Sequence, residues 1–576
     1  MASRTGAVHV ATVTRKHGDK VYTSHLLRRT FRAGGKVKNE TVGNISHLPP
    51  HLVDMVRRAL AGEQFTPAGG LEVVRSRGHG HVALVLGVLR DLGLDRALLA
   101  RACPERDTVV ALLVSRLLFP GSKLASTRAW ADTTLVEELG LEGVTVRGAY
   151  AAMDWLLERQ EAVQRALVRR HLPAGAVVLY DLSSSYFTGR HCPLATRGYS
   201  RDHRGDLPQV NYGVVTDSEG RPVAVEVFAG NVKDSTTVVE QVERLRKRHG
   251  LRRMVLVGDR GMVTSVQVAA LEKYPAVDWI TALTNPQVAG LRDQGTLQLG
   301  LFDERDLVSM ESPAFPGQRL VACRNPALAA ERERKRRELL AATERRLETV
   351  RRAVESGRLR GAAAIAERLG RAWKNERMRK HFVTEVGDDS LAYRRDEEAI
   401  AAEAQLDGVY VIRTSIQDAP AWPAAEVVRT YKRLSLVERV FRRMKTTELL
   451  VRPVFHRQPG RVRAHVFLCM LAAHVAVELE RRLARFLYVD QGLAEARPSR
   501  HPVRPPESSS EGARKKRDHV SADGFPLHDL PGLLRAMGSL ARVTLRLAGG
   551  EATFDRDCEP TPWQRAVLEA ALGDTG

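Results

Sequence analysis

The chain has 576 residues, 43% of them apolar, and Lys and Arg exceed Asp and Glu by 89 to 68 for a net charge of +21. Length and apolar content together call for roughly three or four domains with cores of their own, which excludes a disordered chain or a small disulfide-stapled module. The positive excess calls for a polyanionic partner, nucleic acid ahead of an anionic membrane surface.

The first 16 residues lack the apolar core of a signal peptide, so the chain is expected in a reducing cytoplasm. Cys103, Cys192, Cys323, Cys469 and Cys558 are odd in number and show no C-x-x-C spacing, so no disulfide framework or structural zinc site is expected.

Residues 1–66 read as a small basic β module. VATVT, a KHGDK turn, VYTSHLL, an AGGK turn and VKNETVGNI form a meander, and residues 1–60 carry eleven Lys/Arg against three Asp/Glu. Such a sheet can contact phosphates, or can simply be a soluble basic edge. Pro67 to Gly70 read as a linker. Residues 71–172 change to a helical period and predict an all-α domain of about five helices, a possible reader of DNA ends.

Residues 173–290 turn to short β runs: AVVLYDL, QVNYGVVTD and PVAVEVFAG, then a helix from Asp234, the strand MVLVGD, a helix capped by Thr264 or Ser265, and VDWITAL. Three strands in meander followed by helix, strand, helix, strand is the order of an RNase H-like mixed sheet. The fold class expected is therefore α/β (mixed α+β), an RNase H-like core with a small N-terminal β module and an all-α N-terminal domain. Residues 291–405 read as a largely helical insertion. LVSMESPAFPG is a possible β element there, and the long charged helix from Ala327 to Val354 repeats Leu340, Thr343, Leu347, Val350 and Val354 at a/d spacing before a second helix folds back. Residues 406–490 resume the core with LDGVYVIRTS, the helix YKRLSLVERVFRRMK and the apolar helix around Val466 to Leu479, which is too short and too interrupted by His474 and Glu478 to span a bilayer. Residues 491–522 are Pro-, Ser- and Lys-rich and predict a flexible linker, and 523–576 a C-terminal tail.

Three acids stand out. Asp181 ends AVVLYDL and Asp259 ends MVLVGD before a GDRG turn. A carboxylate leaving a buried strand is costly unless a cation pairs it or a turn amide caps it, and either reading fits each acid. In an RNase H-like sheet the strands carrying them are neighbours, and like charges so close favour a bound metal. Glu438 lies seven residues after Tyr431 and seven before Lys445, a step of nearly two helical turns, so one continuous helix would place all three with Arg442 on one stripe. By itself that stripe reads first as an ordinary solvated ion pair. His203, His456 and His465 have no ligand spacing and read as structural.

The phrases LYDLSSSYF, YGVVTD, FAGNVKDS, LVGDRGM, LDGVYVIRT, YKRLSLVERVFRRMKT and VRPVFHR, in that order from Leu179 to Arg457, resemble bacterial insertion-sequence transposases of the DDE type. The resemblance is to the group with a Tyr-x2-Arg-x3-Glu-x6-Lys signature. It implies a DNA transposase that cleaves strands at the element ends and transfers the 3′-hydroxyl into target DNA. Asp181, Asp259 and Glu438 would be the catalytic, metal-binding triad for two Mg²⁺ ions, with Mn²⁺ able to substitute. Tyr431, Arg433, Arg442 and Lys445 would contact DNA, although Leu434 stands where the signature has its arginine, and Arg433 is one place, or 100°, away. The partners implied are double-stranded DNA at inverted-repeat ends and target, and a second copy of the chain, with no membrane. The place implied is the bacterial cytoplasm, at the nucleoid. A structure-specific nuclease on the same core, or an inactive transposase-derived DNA-binding protein, are the alternatives.

Overall fold

The computed structural model describes residues 6–33, 36–63, 65, 70–373, 376–497, 499–548 and 550–573. It divides into two compact units, residues 1–76 with 542–558 and residues 77–541 with 559–576. Most of the expected Pro67–Gly70 linker, and the Gly34–Gly35 turn, lie outside the described residues.

In the first unit β1 (Val8–His17), β2 (Lys20–Ala33) and β3 (Lys36–Asn44) form the expected antiparallel meander. His17 pairs with Lys20, leaving Gly18 and Asp19 as the turn, and Gly18 takes φ +63°, a conformation that favours glycine. A helix, Pro50–Leu60, follows that the sequence reading did not include; Pro50 opens it, where a missing N–H costs nothing. β4 (Leu71–Gly78) is the strand that the reading placed inside the helical domain.

In the second unit the helical stretch contains Gly80–Asp91, Leu94–Leu98, Pro104–Leu118, Lys123–Ala129, Leu135–Leu139, Val146–Glu158 and Gln160–His171. That is more pieces than the five expected, because a 3₁₀ turn at Trp130–Asp132 splits one expected helix and Arg159 breaks the expected helix that opens at Tyr150. The sheet that follows is built from β5 (Ala176–Tyr186), β6 (Gln209–Thr216), β7 (Pro222–Ala229), β8 (Met254–Val257), β9 (Val277–Ala282), β10 (Leu307–Met310) and β11 (Arg319–Arg324). After the excursion carrying β12 (Phe382–Val386) and β13 (Leu391–Arg395), β14 (Val409–Thr414) completes it. The order is β10-β11-β14-β9-β8-β5-β6-β7. β8 runs parallel to both β5 and β9, and the other pairs are antiparallel. This is the mixed RNase H-like sheet, widened by three strands.

Those extra strands move the insertion's boundary. β10 and β11 belong to the main sheet, so the chain leaves it only at the helix Pro326–Glu355. Exit and return are pinned together: the Asn325 N–H donates to Gly408 O at 2.9 Å. Gly408 has φ +74°, and a Cβ there would lie 2.3 Å from Asn325 O, so only glycine closes this neck. Arg336, 9% exposed, pairs with Asp407 beside it. Within the insertion the expected Leu340, Thr343, Leu347, Val350 and Val354 stripe is buried, and packs with Ile365 and Leu369 of the returning helix Ala362–Ala372. The β12–β13 hairpin, which the sequence reading did not include, covers that core with Phe382 and Leu391.

One apolar core runs through the helical stretch and the eight-stranded sheet, from Leu89 and Leu113 to Leu179, Val214 and Phe467. The helix Pro459–Arg482 is long and apolar enough by composition to cross a membrane, but 89% of its apolar window is buried inside the protein. The expected flexible linker is ordered over much of its length. It forms Gln491–Glu495 and Ser510–Asp518, and Lys515, 2% exposed, donates to Ala484 O and Val489 O at 2.9 and 2.8 Å. Its own lysine thus satisfies carbonyls of the segment before it, a tie that composition does not reveal. β15 (Ala541–Leu547) and β16 (Thr553–Asp557) leave the expected C-terminal tail for the first unit, where they form a three-stranded sheet with β4.

Candidate active site beside two parallel strands

β5 and β8 are parallel neighbours, with Leu179 opposite Val257. Two residues beyond that pair stand Asp181, which lies midway along β5 rather than at its end, and Asp259, in the turn just after β8, so the register carried one step past the ladder brings the two acids level on chains about 4.8 Å apart. The approach is close: a Cβ on Gly258 would lie 3.8 Å from Tyr180 O. Alternation along β5 sends the Tyr180 hydroxyl to one face, where it bonds Thr237 at 3.0 Å, and Asp181 to the other. Asp259 opens the turn, its carbonyl accepting from the Met262 and Val263 N–H groups, and leaves its carboxylate exposed.

The third acid comes from the helix Leu434–Lys445. Val437, Val440, Phe441 and Met444 recur at helical spacing, are buried, and seat this helix on β5, with Phe441 against Tyr212 at 5.8 Å between ring centroids. Glu438 follows Val437 at the edge of that buried face and is exposed. Its charge reaches Asp181. Burial pushes the Asp181 carboxyl up to about 7, the Asp259 and Glu438 charges adding to the rise and the Leu182 N–H, at 2.8 Å, and Arg201 opposing it. Among the described residues no three His, Cys, Asp or Glu side chains stand close enough together to hold a metal ion as they are.

The expected single stripe is broken. Tyr431 ends a separate helix, Ala424–Lys432, and Arg433 interrupts the run, its N–H turning to Thr430 O. Tyr431 nevertheless meets the acids from its own helix: its hydroxyl lies 3.4 Å from Asp259 Oδ1, and burial, then the Asp259 charge, raises its pKa. Arg433 turns to Glu426 at 3.5 Å, while Leu434 packs against the core. Arg442 is exposed on the Glu438 helix, as is Arg439. Lys445 is placed inward, 11% exposed, with its ammonium 2.9 Å from Asp202 Oδ1, and burial lowers its pKa. Asp202 and Arg201, on the loop between β5 and β6, are the neighbours that sequence reasoning passed over; the one available signal was the density of charge in SRDHRGD. Two of the three histidines sit in structural contacts, His465 with Nε2 3.1 Å from Val451 O and His456 edge-on against His465, while His203 is exposed at φ +56°.

Comparison with known families adds the decisive observation. Residues 179–475, just over half the chain, match the transposase DDE domain, a span that opens two residues before Asp181 and includes Asp259 and Glu438. The chain belongs to the DDE transposase family. Residues 10–68 of this transposase match the IS1634 family transposase N-terminal domain, which covers the β1–β3 sheet and the helix after it, and makes it an insertion-sequence enzyme by family. A comparison with curated proteins finds no match.

The raised Asp181 value sets a pH dependence. The folded transposase holds that proton more tightly than the unfolded chain, so between 3.8 and about 7 unfolding releases a proton and stability falls as pH rises. Above about 7 the loss is complete. Asp181→Asn, which cannot ionise, is therefore expected to melt higher than the parent at pH 8 in a chelating buffer and to match it near pH 4. Equal melting temperatures at pH 8 would show that Asp181 ionises there without cost.

Proposed function

We propose that this transposase cleaves DNA strands at the ends of its insertion sequence and transfers the freed 3′-hydroxyl into target DNA, with Asp181, Asp259 and Glu438 holding two Mg²⁺ ions, or Mn²⁺ in their place. What carries the reading is the parallel register of β5 and β8, which sets Asp181, midway along β5, level with Asp259 just past β8, with the Glu438 helix seated on β5. A buried carboxylate made costlier to ionise by two neighbouring acids, as Asp181 is by Asp259 and Glu438, belongs to a donor set suited to hard divalent cations. Bound there, such ions supply activation of the attacking water or 3′-hydroxyl and stabilise the leaving oxygen of an in-line phosphoryl transfer.

The protein's own part is positioning. β5 fixes Asp181, the hydrogen-bonded turn after β8 fixes Asp259, and the Tyr431 hydroxyl holds Asp259 from the side. Glu438 comes from an amphipathic helix whose apolar face is locked to the sheet. Arg439 and Arg442 on its exposed face suit phosphate oxygens. The partners are duplex DNA, as inverted-repeat ends and as target, and a second copy of the chain, since joining two ends needs two sites.

Supercoiled DNA bearing the repeats that flank the gene, incubated with the full chain in Mg²⁺, is expected to yield both cleaved ends and joined products. Cleavage without joined products would replace the reading with that of a nuclease. Bound but uncut ends would leave a DNA-binding protein derived from a transposase.

A further inference from the structure

Asp202 lies on the loop between β5 and β6 and is 1% exposed. Its carboxylate gathers three donors from three separate pieces of the core. The Tyr186 N–H at the end of β5 donates to Oδ2 at 3.1 Å, the Lys445 ammonium in the last turn of the Glu438 helix reaches Oδ1 at 2.9 Å, and the Arg452 guanidinium reaches Oδ1 at 2.5 Å. Arg452 also donates from Nε to Lys445 O at 3.1 Å, closing the group on itself. The loop is anchored on the neighbouring side too. The Arg201 N–H donates to Ser184 Oγ at 2.9 Å, and its guanidinium pairs with Asp234.

The strand tied by this clip is the one that carries Asp181, five residues before Tyr186, and the helix tied by it carries Glu438, seven residues before Lys445. Apolar packing between helix and sheet is non-directional and leaves sliding along the interface weakly opposed. A buried carboxylate shared by a strand amide and two cations is directional, and removing it leaves the largely buried Lys445 and the half-buried Arg452 beside no opposite charge. We propose that Asp202 is a positioning residue that sets the distance between Glu438 and Asp181, using Lys445 as its handle on the helix. The inference rests on the assignment of the three acids as one metal-holding set.

Asp202→Asn keeps the shape and removes the charge. It is expected to raise the Mg²⁺ concentration for half-maximal end cleavage by about tenfold, the scale seen when a group supporting a metal ligand is lost, while end binding in Ca²⁺ stays at the parent level. Arg452→Gln, at a position 28% exposed, loosens the same clip more gently and is expected to shift the Mg²⁺ midpoint in the same direction if Asp202→Asn fails to fold. An unchanged midpoint in a folded variant, or a loss accounted for wholly by weaker end binding, overturns the assignment. Asp181→Ala run alongside separates the two levels. If it still cuts, the three-acid reading itself is wrong; if it is dead while the midpoint of Asp202→Asn is unmoved, only the clip is.

Discussion

Asp181→Ala and Glu438→Ala are each expected to slow end cleavage in Mg²⁺ by on the order of a thousandfold or more, about 4 kcal/mol of transition-state stabilisation, the scale of a lost metal-holding group. End binding is expected to survive. Both acids are negative groups facing a polyanion, so their removal lowers repulsion of DNA phosphates. Asp181 is half-buried between strand neighbours, and alanine there deletes a charge that is costly to hold, so the variant is not expected to unfold. Glu438 is exposed at the edge of its helix's apolar face, and alanine there leaves Val437, Val440, Phe441 and Met444 seated. Asp293→Asn, an exposed acid paired with Arg292, serves as the control that should change nothing. The measurement is single-turnover cleavage of an end-containing duplex in Mg²⁺, beside a gel shift in Ca²⁺. A parent-like rate in either alanine variant would remove that acid from the reaction.

The acids were legible because their placement depends on strand order, and strand order is written in short-range patterns. The apolar runs ending in Asp181 and Asp259, with a helix between later strands, are enough to make their strands parallel neighbours. β11, RLVACR, escaped because six residues next to a proline-rich turn carry little period of their own. The break at Arg433 was also invisible: no proline or glycine marks it, and its φ of −64° and ψ of −15° are still helical. Lys445 was read from a signature as a DNA contact, whereas the fold gives it Asp202, 243 residues away in sequence. No local pattern carries a pairing of that range. The stretch around Val503 misled for a related reason. Its Pro- and Ser-rich composition looks unstructured, yet Lys432 donates to Val503 O at 2.6 Å and Arg429 to Arg500 O at 2.9 Å, so its order is supplied by basic residues of another element.

Phe467→Ala is expected to destabilise the larger unit by about 3–5 kcal/mol, the range for deleting a fully buried aromatic side chain. Phe467 has no exposed surface, and the helix that carries it, Pro459–Arg482, is buried nearly all round. That helix packs at once on β7 of the catalytic sheet and on Pro104–Leu118 and Val146–Glu158 of the helical stretch. It is the element through which the two share one core, so a cavity within it weakens both sides. Against a total stability of about 5–15 kcal/mol for a folded domain, such a loss is a large fraction. The consequence is cooperative: far-ultraviolet circular dichroism and tryptophan fluorescence should report a lowered denaturant midpoint together, since Trp130 lies in the helical stretch and Trp279 on β9 and both are buried. A helical stretch that melted apart from the sheet, leaving one probe at the parent midpoint, would mean that residues 77–172 fold as a domain of their own and that the shared core is an interface between two bodies.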